Sequence, residues 1–280
     1  MNLPKIPLDR WIDSGVEYLQ INFSNAFNGF TAFMKSFING FQGAMMWVPI
    51  ALMIILFVAL AWYFSGLKMG IFTALGFLLI WNIGLWEASM QTLAMVLTAV
   101  LICILLGVPL GVLAAKSRTT HKIIMPILDF MQTLPAFVYL LPAVSFFHLG
   151  VVPAVIATLI FAMPPIIRLT TLGIRQVPEE LIELGESFGS TFMQKLIKIE
   201  LPLARSTIMA GVNQCIMLAL SMVVVSAMIG AKGLGGEVWR AIQRMEIGKG
   251  FEAGLALVVI AIFLDRLTQN LTNGKRKKSK

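Results

Sequence analysis

Charge is scarce in this sequence. Only 13% of its 280 residues are Asp, Glu, Lys or Arg, while 58% are hydrophobic. Soluble domains carry roughly 25% charged residues, so this balance excludes a soluble globular enzyme and a disordered chain. Cysteine is nearly absent: Cys103 and Cys215 both lie inside apolar runs. That excludes a disulfide scaffold, and a metal site would need more ligands nearby. Histidine is limited to His121 and His148, both in short polar breaks. The phosphate-cradling pattern G-x-x-x-x-G-K-[ST] is missing too. Gly248-Lys249-Gly250 and Gly274-Lys275-Arg276 lack its upstream glycine and its hydroxyl. No clear internal repeat is visible, which counts against a secondary transporter built from inverted halves. What remains is an all-α integral membrane protein with mean hydropathy +0.85.

Seven apolar stretches predict spans at 46–64, 69–86, 89–115, 123–147, 151–167, 207–229 and 251–271. Most reach the ~20 residues that cross a bilayer, and helices satisfy their own backbone there. Fifteen of the 22 Lys and Arg residues fall in one alternate set of connecting segments. Such segments face the cytoplasm by the positive-inside rule, placing the N-terminus outside and the C-terminus inside. The net charge of +8 thus points to headgroups and topology rather than nucleic acid.

Residues 1–45 form a separate segment, without the basic start, apolar core and cleavage site of a signal peptide. Phe23, Phe27, Phe30, Phe37 and Phe41 recur on one helical stripe. That stripe suits helices lying in the outer interface or packed on the bundle. Residues 46–88 read as accessory spans, 89–271 as the core, and 272–280 as a basic cytoplasmic tail. In the tail, Lys275, Arg276, Lys277 and Lys278 suit anionic lipid, or simply anchor the topology. In the core, Gly107 and Gly111 have the spacing of close helix packing.

The 168–202 loop is patterned. Pro178 opens a helix, Glu179, Glu180 and Glu183 favour its first turns, and Leu181, Leu184 and Phe188 share a face. Gly189 suits its end, and Thr191 with Gln194 has capping-box spacing for a second helix that Pro202 should end. Two amphipathic helices there suit docking of a protein partner, or an amphipathic hairpin lying on the bilayer. Gly185-x-Ser187-x-Gly189 also fits the G-x-S-x-G hydrolase elbow. That elbow needs a preceding strand and a triad histidine, so the match reads as chance.

Glu183, Leu184 and Gly185, then Gly189, then Ile199, Leu201 and Pro202 resemble the EAA loop of membrane subunits of binding-protein-dependent ABC importers. The pattern is Glu-Ala-Ala, three residues, Gly, nine residues, Ile-x-Leu-Pro. Leu184 and Gly185 stand where that family has alanines. Residues 91–269 resemble the permease of glycine betaine/proline betaine importers through DFMQTLPAFVYLLP at 129–142, FAMPP at 161–165, FGS at 188–190, LALSM at 218–222 and GAKGLG at 230–235.

The resemblance implies the type I importer fold and transport of a compatible solute for osmoprotection. It implies a homodimer, two cytoplasmic ATPases that bind ATP and Mg, and a separate external binding protein. This chain would itself be no enzyme and bind no cofactor or metal. Choline, carnitine or proline are alternative solutes, and a passive channel is the alternative mechanism. Within the spans, Asp129 with Arg168 reads as a gate or a structural ion pair. Gln132, Asn213, Gln214 and Ser221 line a polar path or bond between helices. Trp62, Trp86, Tyr139 and Trp239 read as interface anchors.

Overall fold

The computed structural model describes residues 7–273, with side chains described to Asn270. Among these residues there is no strand. The basic tail read at 275–280 lies outside the described residues.

The chain opens with α1, Leu8–Trp47, a single helix of 40 residues. Pro49 ends it. A residue before proline is driven out of the helical region, and Val48 is extended at φ −73°, ψ 130°. The next helix, α2 (Ile50–Ser65), leaves at 99° to α1. α1 buries Met34, Ile38 and Met45 against the bundle, and Phe27 stacks on Phe146 at 4.8 Å and on Phe147 at 5.7 Å. Phe23, Phe37 and Phe41 stay exposed. The phenylalanine stripe therefore does not coincide with the buried stripe. One face of α1 holds the bundle and a second, also apolar, faces outward.

Helices α2 and α3 (Leu67–Asn82) form a hairpin about Gly66, each 16 residues long. The hairpin docks on the last helix, α13 (Ile247–Asn273), where Phe57, Phe77 and Phe263 pack with centroids 4.8–5.4 Å apart. A Cβ on Gly76 would meet Val259 at 2.5 Å, so the glycine permits this approach.

The core begins with α4, Trp86–Lys116. The stretch read as one span at 123–147 is in fact broken. α5 (Arg118–Thr133) ends at Leu134, a 3₁₀ turn spans Ala136–Tyr139, and α6 is Leu140–Phe147. The two halves meet at 106°. Pro135 again explains the break, because Leu134 before it is extended at φ −67°, ψ 135°. Tyr139 is buried and its hydroxyl donates to the Met131 carbonyl across the break. Trp86 is buried as well, so neither residue is an interface anchor.

α7 (Val151–Ala162) and α8 (Pro164–Arg175) run on as one 25-residue span. This corrects the expected end of the fifth span at 167: Arg168 lies within a helix, not at the start of a loop. α9 is Glu179–Ser187 and α10 is Phe192–Lys195. A π-helical turn, Leu196–Glu200, then leads into α11, Leu201–Ala227. Pro202 does not stop this helix. It sits in the first turn of α11, where proline is tolerated and the widened turn accommodates it, so Phe192–Ala227 is continuous over 36 residues. α12 (Leu234–Gln243) lies at the other end of the bundle and leads into α13.

Among the described residues four continuous helices are long and apolar enough to cross a membrane, or up to six if each bent pair is one span, against the seven expected from the sequence. The apolar α3 is shorter. Helices α4, α8 and α11 pack through small residues. A Cβ on Gly107 would meet Ile166 at 2.9 Å, one on Gly111 would meet Thr170 at 2.6 Å, and one on Gly211 would meet the Pro165 carbonyl at 3.1 Å. Lipid gives no hydrophobic drive between helices, so close backbone approach supplies the packing contacts. Thr171 Oγ1 also donates to the Gly111 carbonyl at 3.0 Å.

Candidate functional site: a two-helix platform at the base of the bundle

Pro178 precedes α9 in an extended conformation, and Glu179 and Glu180 occupy the first turn, where the helix dipole favours acids. Gly189 ends α9. Its φ is +72°, a region that costs an L-residue about 1–2 kcal/mol. The Gly189 N–H donates to the Glu186 carbonyl at 2.8 Å and the Ser190 N–H to Gly185 at 2.9 Å. This bond pair is a Schellman cap. Thr191 then caps α10 reciprocally. Its Oγ1 accepts from the Gln194 N–H, and its own N–H donates to Gln194 Oε1 at 2.8 Å.

These caps fold the segment back so that α9 rests on the π turn. Gly185 is buried beneath Ile199, and a Cβ there would meet Ile199 Cδ1 at 2.8 Å. Lys195 donates to Glu186, which holds the Glu186 carboxyl below the usual carboxylate range. Ser187 Oγ donates to the Glu183 carbonyl at 3.0 Å on a helix, with no preceding strand. Ser187 is therefore no nucleophile elbow.

The platform is wired to the spans by residues that sequence spacing does not reveal. Lys116, the last residue of α4, donates to Glu200 Oε1 at 2.6 Å, and the Glu200 side chain is 1% exposed. Lys116 also lies 5.7 Å from the Phe192 ring centroid. Arg175 Nη2 donates to the Ala114 carbonyl at 3.0 Å, satisfying the end of α4. Leu201 is half-buried against the cluster of Ile174, Leu196 and Ala204, and Pro202 is exposed. The only advance signals for this wiring are a Lys at a helix end and a Glu before Leu-Pro.

What the platform presents outward is apolar. Leu184 is 53%, Phe188 82% and Met193 60% exposed, with Leu181 and Phe192 beside them. Glu179, Glu180 and Glu183 flank this patch. Large exposed apolar side chains rimmed by charge suit a protein or membrane contact.

The other expected residues are dispersed. Arg168 Nη2 donates to Asp129 Oδ1 at 2.5 Å, joining α8 to α5; the Asp129 side chain is exposed, while Arg168 is half-buried and its Nε is buried without a partner. Gln132, Gln214 and Ser221 are exposed, and Ser221 Oγ donates to the Met217 carbonyl of its own helix at 3.0 Å. Asn213 is engaged between helices. Its Nδ2 donates to Asp265 at 2.8 Å and its Oδ1 accepts from Thr268 at 3.0 Å. The geometry brings together the loop residues and the Asp129–Arg168 pair, but not one polar site. Cys103 and Cys215 are buried free thiols. No cluster of metal-ligating side chains occurs among the described residues.

Residues 107–277 match the family described as binding-protein-dependent transport system inner membrane component. The glycine betaine transport system permease protein OpuAB of Bacillus subtilis is 52% identical over 276 residues, covering 99% of this chain and 98% of that protein. The glycine betaine/carnitine transport permease protein GbuB of Listeria monocytogenes is 53% identical, with 96% of each chain covered. The glycine betaine/proline betaine permease protein ProW of Escherichia coli is 49% identical, covering 98% of this chain and 77% of ProW. Among solved structures, the MetNI methionine ABC transporter in an inward-facing conformation superposes with TM-score 0.60 at 20% identity. It covers 70% of this chain and 95% of that one. That likeness concerns the fold.

Proposed function

The chain belongs to the binding-protein-dependent transport system inner membrane component family, and on that premise we propose that it carries glycine betaine or proline betaine into the cell. It is a multi-pass membrane permease subunit of an ABC importer, which works with ATPase and substrate-binding partners. The observation that carries the solute assignment is near-50% identity, along almost the whole chain, to permeases named for glycine betaine. Choline, carnitine and proline are less favoured, and a passive channel would have no use for a capped docking platform.

The proposed coupling runs through the platform. The apolar row of α9 seats in a groove of a cytoplasmic ATPase that binds ATP and Mg. Glu183, Leu184, Gly185, Gly189, Ile199, Leu201 and Pro202 form or support this contact. Closure of two ATPases pushes α9. The Gly185–Ile199 contact and the Lys195–Glu186 pair pass the push to the π turn. Because Phe192–Ala227 is one helix of 36 residues, a tilt at its base moves its far end, roughly 50 Å away at 1.5 Å per residue. The Lys116–Glu200 pair makes α4 follow. ATP thereby favours one of two bundle states, alternating access between the two sides.

The surplus of Lys and Arg on the platform side supports placing it, and the C-terminus, in the cytoplasm. The Asp129–Arg168 pair, with its carboxylate side open, supports a homodimer. Charges inside spans face protein or a water-filled path rather than lipid, and a second copy beside α5 would supply both. Asp129 and Arg168 then flank the path, with Gln132, Gln214 and Ser221 along it. Asn213 is a helix-bonding residue. Lys275, Arg276, Lys277 and Lys278 of the tail meet anionic lipid.

Uptake into proteoliposomes containing the complex, its binding protein and internal ATP tests this reading. Glycine betaine and proline betaine should accumulate against a gradient, and choline and proline should not. Accumulation of another solute alone would move the substrate. Equilibration without ATP would favour a channel.

A further inference from the structure

A cleft of about 570 Å³ opens at the end of the bundle opposite the platform, in the range typical of small-molecule sites. It exists because α1 lies across the bundle. Its walls are α1, the first turns of α4, the 148–153 turn and the 230–232 turn. The last two are pinned together by the Gly150 N–H donating to the Ile229 carbonyl at 2.9 Å.

Exposed side chains of both signs face this cleft together. Lys35 from α1, Lys232 from the 230–232 turn and Glu87 from α4 all line it. None takes part in an ion pair among the described residues, and Glu87 accepts only from Gln91 Nε2, at 3.0 Å. Next to the cleft, Glu237 pairs with Arg240 and Glu246 with Lys249, while Arg244 joins no ion pair among the described residues. A second hollow beside α12 shares Glu87, Gln91 and Lys232, so the same charges are open from two directions. Phe147 also lines the cleft, and an aromatic face attracts a cation without needing an N–H donor.

We propose that this cleft is an entry site for a small zwitterion. Glu87 and Phe147 take its quaternary ammonium, and Lys35 and Lys232 take its carboxylate. A ligand carrying both signs meets exposed side chains of both signs that line one cleft. A plain cation leaves the lysines unanswered, and a plain anion leaves Glu87. The inference rests on the permease reading and adds to it a role for the N-terminal helix, which supplies one wall and one lysine. A phosphatidylethanolamine headgroup shares the same chemistry and must be separated by experiment.

The test is equilibrium binding of radiolabelled glycine betaine to the complete permease–ATPase complex in nanodiscs, without binding protein. Phosphatidylglycerol discs are compared with discs containing phosphatidylethanolamine, and uptake by wild-type proteoliposomes is measured in parallel. Saturable binding is expected. Glu87→Gln should weaken it about fivefold, the scale of one partly exposed charge contact. The Lys35→Gln/Lys232→Gln pair should weaken it at least as much. Lys249→Gln should leave it unchanged. Proline betaine should compete, and choline about fivefold less well. Equal affinity in wild type and charge variants, with wild-type uptake intact, overturns the site while the permease reading stands. Loss of solute binding in phosphatidylethanolamine discs assigns the cleft to a headgroup and also overturns it. Absence of wild-type uptake removes the permease reading, and this site with it.

Discussion

Lys116 and Glu200, 84 positions apart in the chain, form an ion pair of 2.6 Å that ties the end of α4 to the base of α11. The carboxylate is almost fully buried, and its second oxygen has no partner. Removing the ammonium leaves that charge uncompensated, which for a buried pair costs about 3 kcal/mol. Lys116→Met should therefore lower the thermal unfolding temperature of the purified complex markedly. Adding Glu200→Met should recover most of the loss, since two apolar side chains leave no stranded charge. Thermal unfolding of the two variants checks this. Equal destabilisation by single and double variants would show that the pair is incidental.

Gly189 holds α9 in its turned-back position at φ +72°, and nothing lies within 4 Å of where its Cβ would be. Sterics therefore do not distinguish substitutions, but backbone preference does. Gly189→Ala should cost about 1–2 kcal/mol locally, whereas Gly189→Asn, which visits this region readily, should cost less. The order of ATP-dependent uptake should be wild type, then Asn, then Ala. Initial uptake rates measure it.

Gly111 meets Thr170 and the Ile167 carbonyl where a side chain would stand. Gly111→Ala should cost about 1–3 kcal/mol, as overpacking does. Gly43→Ala on α1, with open space around it, should stabilise by up to about 1 kcal/mol through helix propensity. Thermal unfolding of both variants gives opposite signs if the packing is as described.

Ser187 contributes one hydroxyl bond to its own helix. Ser187→Ala should change stability by less than about 0.5 kcal/mol, as exposed substitutions usually do, and leave uptake within about twofold. Abolished activity would revive a nucleophile.

Much of the platform was legible because helix capping is local. Pro178, Gly189 and the Thr191–Gln194 box lie within 17 positions of one another and need no tertiary contact. Both sharp breaks were half-legible. Pro49 and Pro135 stand in the sequence, but a proline can kink a helix or end it. The outcome depends on whether neighbouring helices cover the freed backbone. The same ambiguity applies to Pro202, which sits harmlessly inside a continuous helix. The Lys116–Glu200 wiring was not legible, since its partners meet only when α4, α8 and α11 pack on their glycines. On α1 the phenylalanine stripe marks the packed face only in part: Phe27 and Phe30 meet Phe146 and Phe147, while Phe23, Phe37 and Phe41 stay exposed, because in a membrane an outward face is as apolar as an inward one.

The most direct test of the account is solute-stimulated ATP hydrolysis by the complex in proteoliposomes with binding protein and glycine betaine. Wild type is compared with Phe188→Asp, which puts a charge at the most exposed apolar position of the α9 platform. Stimulation in wild type that is lost in Phe188→Asp, with the bundle still folded by thermal unfolding, is the predicted result. Undiminished stimulation in Phe188→Asp would contradict the claim that α9 couples ATP hydrolysis to transport.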